Sequence, residues 1–351
     1  MAKKRKTLPK NFDEIIKAGD PAAFQDVFAK CEWDARGGYG KSTALSFYDI
    51  PPEWIRWLAE QGADVNAADQ YGRTALHAHA GRPGGQVRLL LDLGADIEAA
   101  DYQGDTPLFA AAAFFKPDAV RTLVAGGADI HAKNRSRQTP LEKALAACRN
   151  IHIFDMAEVG GILLDAGTPV TPKMQESVNK IGVEFEFRRE GFNPDMLPQI
   201  DAGLSRLYEL FGVSPVPRRQ RHDGTSEIAV KAKDWQTQHE ELWSLLVPAS
   251  GPAPTAQGEA IRITGKVSHE ILGNGGGNWD RDFREMLDQL IRFFGTGTPL
   301  APELLQEAAS LAKRVRGGDG DDEPARLCEL AVRWVLDNPA PIAWEQPGYK
   351  R

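Results

Sequence analysis

Asp101-Tyr102-Gln103-Gly104-Asp105-Thr106-Pro107-Leu108-Phe109-Ala110-Ala111-Ala112-Ala113 is the stretch whose reading decides the fold of the first half of the chain. Gly104 suits a tight turn, because glycine takes positive φ without a steric penalty. Thr106 can cap a helix whose first position is Pro107, where the missing proline N–H does no harm. A second apolar stripe, Val120/Leu123/Val124, follows at helical spacing, and Gly127 ends it before Ala128-Asp129-Ile130. The unit is one turn and two helices.

That unit recurs. Copies begin at Thr43-Ala44-Leu45, Thr74-Ala75-Leu76, Thr106-Pro107-Leu108 and Thr139-Pro140-Leu141, at steps of 31, 32 and 33 residues. Each closes on a turn: Gly62-Ala63-Asp64-Val65, Gly94-Ala95-Asp96-Ile97, Gly127-Ala128-Asp129-Ile130 and a degenerate Gly167-Thr168-Pro169-Val170. Ile55/Leu58, Val87/Leu90/Leu91 and Ile162/Leu163/Leu164 supply the matching stripes. A period near 33 residues with this content resembles the ankyrin repeat, over roughly residues 11–171. The resemblance implies an all-α solenoid of four repeats. The helix pair read in residues 11–20 and 21–29 suits a polar N-terminal cap.

Departures from the family pattern are informative. Where the family favours His, this chain has Ser46, His77, Phe109 and Glu142, and where it favours a small residue, Tyr48, His79, Ala111 and Ala144. Bulky Tyr48 and His79 imply that the first two repeats are irregular, or that these side chains turn toward a surface. Insertion-like residues Cys148–Phe154 stretch the fourth repeat. In the family the His at the slot of His77 bonds between repeats, so His77 reads as structural.

The chain has 351 residues, more than one core usually takes, so two domains are expected. The period is lost after Val170-Thr171-Pro172, and three segments follow from this: a disordered basic tail (1–10), the repeat domain (11–171) and a mainly helical C-terminal domain (172–351). Helices are expected over Pro198–Phe211, Asp234–Leu246, Gly258–Leu272, Asp280–Phe294, Pro302–Val315 and Pro324–Asn338. Five of the eight tryptophans lie here and can fill a core of their own. Phe192-Asn193-Pro194-Asp195, Pro215-Val216-Pro217-Arg218-Arg219, His239–Trp243 and Gly273–Asp280 resemble the C-terminal region of bacterial ankyrin-repeat proteins, some of which resemble immunity partners that neutralise a toxin by binding it. The resemblance implies a bacterial, cytoplasmic protein.

Bulk properties narrow the function. No apolar run approaches the roughly 20 residues of a membrane span, and Met1–Lys6 lacks the apolar segment of a signal peptide. Three scattered cysteines, Cys31, Cys148 and Cys328, give neither a disulfide framework nor a zinc-ligand pair. A net charge of −7 argues against nucleic acid as the partner.

The motifs that carry chemistry are incomplete. Gly273–Asn278, feeding a helix, could cradle a phosphate; it lacks the Lys-Ser/Thr of a P-loop, and a turn with Asn278 or Asp280 as helix cap is the competing reading. His239-Glu240-Glu241-Leu242-Trp243 opens like a zinc-protease helix but has Trp where the second His belongs. Asp319–Glu323 lacks the closing ligand of a calcium loop. Arg218–Gly224 is a compact basic turn, read as a surface loop or a phosphate contact. No catalytic residue, cofactor or metal is expected. In an ankyrin-like stack the turn tips face partners, which selects Gln70, Tyr71, Arg73, Tyr102, Gln103, Asp105, Arg135 and Arg137, with Ser136 beside them; tyrosine and arginine are enriched at hot spots. The expected partner is another protein, such as a toxin encoded nearby, and the expected state is a monomer or a 1:1 complex. The alternatives are a ligand-binding or catalytic C-terminal domain using the glycine loop, and a passive scaffold.

Overall fold

The computed structural model describes residues 3–345, 348 and 349. Among these the chain is mostly helical, with sixteen α-helices and three short strands. It divides into two compact units, residues 1–185 with 193–216, and residues 186–192 with 217–351.

The first unit begins with a strand. β1 (Arg5–Thr7) pairs in parallel with β2 (Cys31–Gly37), which pairs antiparallel with β3 (Ser42–Thr43). Residues 5–7 are therefore not a disordered tail, and the first unit is not purely helical. Lys4 donates its ammonium to the Phe28 carbonyl at 2.7 Å and lies over the Trp33 ring, while Leu8 is buried. Between the strands lie α1 (Phe12–Ala18) and α2 (Pro21–Lys30). Phe12, Phe24 and Phe28 of this pair are buried, and Phe24 stacks on Trp54 at 4.1 Å.

Stacked helix pairs follow. In the first, Ala44–Ser46 forms only a 3-10 turn before α3 (Pro52–Glu60). The next pairs are α4 (Ala75–Ala80) with α5 (Val87–Asp92), α6 (Pro107–Ala113) with α7 (Pro117–Ala125), and α8 (Pro140–Ala147) with α9 (Ile153–Asp165). Helices α4, α6 and α8 form an inner row, and α5, α7 and α9 an outer one. Leu58, Leu90, Leu123 and Leu163, all buried, lie at corresponding positions of the outer helices. Each helix ends where a positive-φ glycine lets the next amide reach back: Ala63 to Leu58, Ala95 to Leu90, Ala128 to Leu123 and Thr168 to Leu163, at 2.9–3.0 Å.

The expected threonine caps divide. Thr139 and Glu142 form a reciprocal capping box, with Thr139 N donating to Glu142 Oε2 at 2.9 Å and Glu142 N to Thr139 Oγ1 at 3.3 Å. At Thr74 the N3 residue is His77, whose Nδ1 accepts from Thr74 N at 3.1 Å. Thr106 does not cap: the amide of its N3 residue, Phe109, donates to the Thr106 carbonyl at 2.9 Å, and the buried Thr106 hydroxyl finds no hydrogen-bond partner among the described residues.

The unit continues past the repeat. α10 (Pro172–Arg188) follows, and α11 (Leu197–Phe211) packs along α9. Gly203 makes that approach possible, since a Cβ there would lie 2.7 Å from the Phe154 Cα. The compact unit thus extends beyond the boundary read after residue 171, because the apolar face of α11 (Ile200, Leu204, Leu207, Phe211) is buried within the first unit.

The second unit is a helical bundle of α12 (Trp235–Leu246), α13 (Ala256–Ser268), α14 (Arg281–Phe294), α15 (Pro302–Arg314) and α16 (Glu323–Leu336), close to the expected boundaries. α13 is central, and every residue from Ala256 to Thr264 is buried, including four polar ones whose groups are satisfied inside. Gln257 donates to the carbonyls of Asn338 and Ala340 and accepts from Ile342 N. Glu259 accepts from Arg262 Nε at 2.8 Å, Ala253 N at 2.7 Å and the Tyr349 hydroxyl at 2.7 Å. The C-terminal segment is thereby clamped to the central helix. Trp334, fully buried between Phe293 and Phe294, donates its indole N–H to the Thr296 carbonyl.

Candidate partner-binding groove

The turns before α4, α6 and α8 are built alike. Asp69 Oδ1 accepts from the amides of Tyr71 and Arg73, Asp101 Oδ1 from those of Gln103 and Asp105, and Asn134 Oδ1 from those of Ser136 and Gln138, all at 2.7–3.0 Å. Each tip is bonded to the one before it: Gln70 N to Gly40 O, Tyr102 N to Tyr71 O and Arg135 N to Gln103 O, at 2.9–3.0 Å. This ladder holds one tip per repeat in line. The tips then present Tyr39, Tyr71 and Tyr102, which are 91%, 38% and 59% exposed. The side chains of Tyr39 and Tyr71 are hydrogen-bonded to each other, which raises the Tyr39 pKa. The Arg73 guanidinium lies over the Tyr71 ring, 4.9 Å from its centroid.

Behind the tips, the inner helices line a groove of about 560 Å³. Its floor is small-residue surface (Ala78, Gly81, Ala110, Ala113 and Ala147), and Ser46, Arg82, Phe109 and Phe114 contribute further lining. Phe114 is 62% exposed, and Tyr48, 52% exposed, lies under the Arg82 guanidinium. Tyr48 is thus the surface residue that its bulk suggested. His79 is not: it is fully buried, with Nε2 2.9 Å from Leu45 O and Nδ1 accepting from Gln86 N at 3.1 Å. His77 bonds across repeats, its Nε2 2.9 Å from Asp105 O. Burial depresses the pKa of both imidazoles. Each therefore carries one proton, on Nε2, with Nδ1 left to accept.

The selected tip residues do not all share one situation. Gln70, Tyr71, Tyr102, Gln103, Arg135, Ser136 and Arg137 are exposed. Arg73 is exposed but tied to buried Asp69, with Nη2 at 3.0 Å and Nε at 3.2 Å from Oδ2. Asp105 is buried in the groove wall, where its carboxylate pairs with the Lys143 ammonium and accepts from Asn134 Nδ2 at 2.9 Å. It organises the wall rather than facing outward. Reasoning from tips alone missed Tyr39, Tyr48 and Phe114. Tyr39 and Tyr48 carried a signal, Tyr39 because it stands 32 residues before Tyr71 and Tyr48 through its bulk in a small-residue slot, whereas Phe114 carried none.

Several motifs resolve into structure. Glu270 occupies the glycine loop from within, its Oε1 accepting from Asn278 N at 2.6 Å and Asn274 Nδ2 at 2.9 Å, while Gly276 N donates to the Glu270 carbonyl. A carboxylate already fills the place a phosphate would take, and Asp280 caps α14 through the amides of Asp282 and Phe283. Residues Ala35–Ser42 end in Gly-Lys-Ser as a phosphate-binding loop does. Here they form the hairpin between β2 and β3, and only a 3-10 turn follows, so no helix N-terminus faces a ligand. Arg219 donates to the carbonyls of Trp243 and Ser244 at the end of α12, and Arg221 pairs with Glu190 at 2.8 Å. His239 meets Thr264 Oγ1 at 3.1 Å, and burial lowers its pKa to about 4. Burial raises the thiols of Cys148 and Cys328 to about 12 and about 11, which keeps them protonated. Among the described residues no His, Cys, Asp and Glu side chains gather as a metal site would need, and no helix is long and apolar enough to cross a membrane.

No curated protein matches the chain. Residues 44–134 match a protein-family model, that of ankyrin repeats in three copies, and over this span the chain is similar to the ankyrin-repeat family.

Proposed function

We propose that the chain is a stoichiometric protein binder that acts by occlusion rather than catalysis, and that the groove of the first unit is its docking surface. Ankyrin repeats are protein–protein interaction modules, and three copies lie in residues 44–134. One observation carries the reading: an alanine-lined floor runs between exposed aromatic side chains, while the polar groups of its wall are paired with one another. A partner can cover such a surface without leaving a charge unpaired, and aromatic anchors in a dry groove are the usual source of binding energy. In this proposal α8–α9 acts as a fourth repeat and α1–α2 as the cap. The narrow form of the reading is an immunity-type inhibitor in a bacterial cytoplasm, as the C-terminal resemblance implies.

The test uses the full chain, tagged and expressed in its source cells. The reading expects one protein to co-purify in stoichiometric amount and to be lost from the Phe114→Glu/Tyr102→Ala double variant. If nothing co-purifies, or if the variant retains the same protein, the groove is not the docking surface. For the narrow form, co-expression with the product of the adjacent gene must relieve that product's toxicity.

A further inference from the structure

The tips of the groove carry charge of one sign. The hairpin carboxylates are turned inward: Asp69 and Asp101 hold turn amides, and Asp105 pairs with Lys143. What faces out at the first and last tips is basic: Lys41, Arg135 and Arg137, all exposed, in a chain whose net charge is −7. Two of these three sit where the backbone favours glycine. The second and third tips use Gly72 (φ 82°) and Gly104 (φ 75°) at the position two residues before the repeat threonine; the first and last use Lys41 (φ 51°) and Arg137 (φ 58°). A left-handed backbone is unfavourable for a residue with a Cβ. Strain of this kind concentrates at functional positions. Here both strained side chains are long, cationic and exposed.

We infer that the partner presents an acidic peptide segment to the tips, with Lys41 and Arg137 engaging its carboxylates at either end of the row and the tyrosines between them packing on its apolar side chains. The inference rests on the groove reading and narrows it. An acidic protein segment fits better than a nucleic acid, because separate tips present isolated basic groups rather than a continuous stripe, and the negative charge of the whole chain opposes a polyanion at longer range.

The experiment selects binders from a random-peptide display library on the full chain and measures the enriched peptides by fluorescence anisotropy, with a single-stranded oligouridine of similar length in parallel. The expected peptides are rich in Asp and Glu and bind about tenfold more weakly to the Lys41→Gly/Arg137→Gly variant, the sum of two exposed charge contacts. Glycine suits both backbones, so the variant keeps its fold, and circular dichroism confirms this. Enriched peptides that are not acidic yet are lost with Phe114→Glu overturn the acidic partner and leave the groove reading standing. Peptides insensitive to both variants, or no enrichment, overturn both. Oligouridine binding tighter than any acidic peptide overturns the protein segment.

Discussion

Arg137 takes, one repeat later, the backbone position of Gly104, and both lie in the left-handed region at φ 58° and 75°. The arginine pays there in strain of about 1–2 kcal/mol that glycine would not have. Glycine in turn loses about 0.5–1 kcal/mol of additional chain entropy on folding. Arg137→Gly should therefore stabilise the first unit by about 0.5–1 kcal/mol, and Lys41→Gly likewise. Urea unfolding followed by circular dichroism measures this; a loss of stability in either variant would mean that the side chain contributes packing unrelated to a partner.

Thr106 and Thr139 begin equivalent helices with opposite consequences. Thr139→Val removes a working cap and should cost about 1 kcal/mol. Thr106→Val replaces a buried, unpartnered hydroxyl with a methyl of the same shape and should be neutral or stabilising. The two variants compared in one thermal melt give a result that does not depend on absolute stability. Equal destabilisation would contradict the assignment of Thr106 as a threonine that does not cap its helix.

Legibility in the sequence followed how local each determinant is. Turn, stripe and stop recur in phase, so the stacked pairs were readable down to Gly62, Gly94, Gly127 and Gly167. The sheet was not, because β2 alternates poorly and its parallel partner, Arg5–Thr7, is a short basic segment that reads as a solvated tail. Whether a threonine caps depends on whether the amide three positions on meets its hydroxyl, as at Thr139, or its carbonyl, as at Thr106, which is why the two looked alike. α13 was found, but its polar face was not read as buried: Gln257, Glu259 and Arg262 look solvated until Asn338, Ala340, Ile342 and Tyr349 pack against them. Of the groove, the tips were visible through their period and Tyr48 through its bulk, whereas Phe114 became a surface anchor only once the inner helices were stacked.

Acidification should destabilise both units in a window set by histidines. Burial lowers the folded pKa of His77, His79 and His239 below the ordinary 6.5, for His239 to about 4. As pH falls from about 6.5 toward 4 the unfolded chain takes up protons that the folded chain refuses, so stability is lost with falling pH. For His239 the loss is about 2 kcal/mol after discounting for partial exposure. His239→Gln should flatten this dependence between pH 6.5 and 4.5 in unfolding followed by tryptophan fluorescence, to which Trp243, stacked on His239, contributes. An unchanged slope would show that His239 is not held neutral.

Glu259 and Arg262 form an ion pair that is completely buried, with side chains 0% and 1% exposed. Glu259→Gln leaves the guanidinium uncompensated and should cost about 3–5 kcal/mol. The double variant Glu259→Leu/Arg262→Met should recover most of that, because replacing both charges avoids the unpaired one. Denaturant midpoints of the three proteins decide it. A double variant weaker than the single one would mean that the link from Glu259 to Tyr349 and Ala253 outweighs the charge pairing.

The central claim is that the groove of the first unit, not the bundle, docks the partner. Hydrogen–deuterium exchange of the full chain, alone and in complex with its co-purifying protein, tests it most directly. The account predicts new protection at residues 39–41, 70–73, 102–104 and 135–137 and along α4 and α6, with the amides of α13 unchanged. Protection confined to residues 217–345, with the tips exchanging as in the free chain, would contradict it.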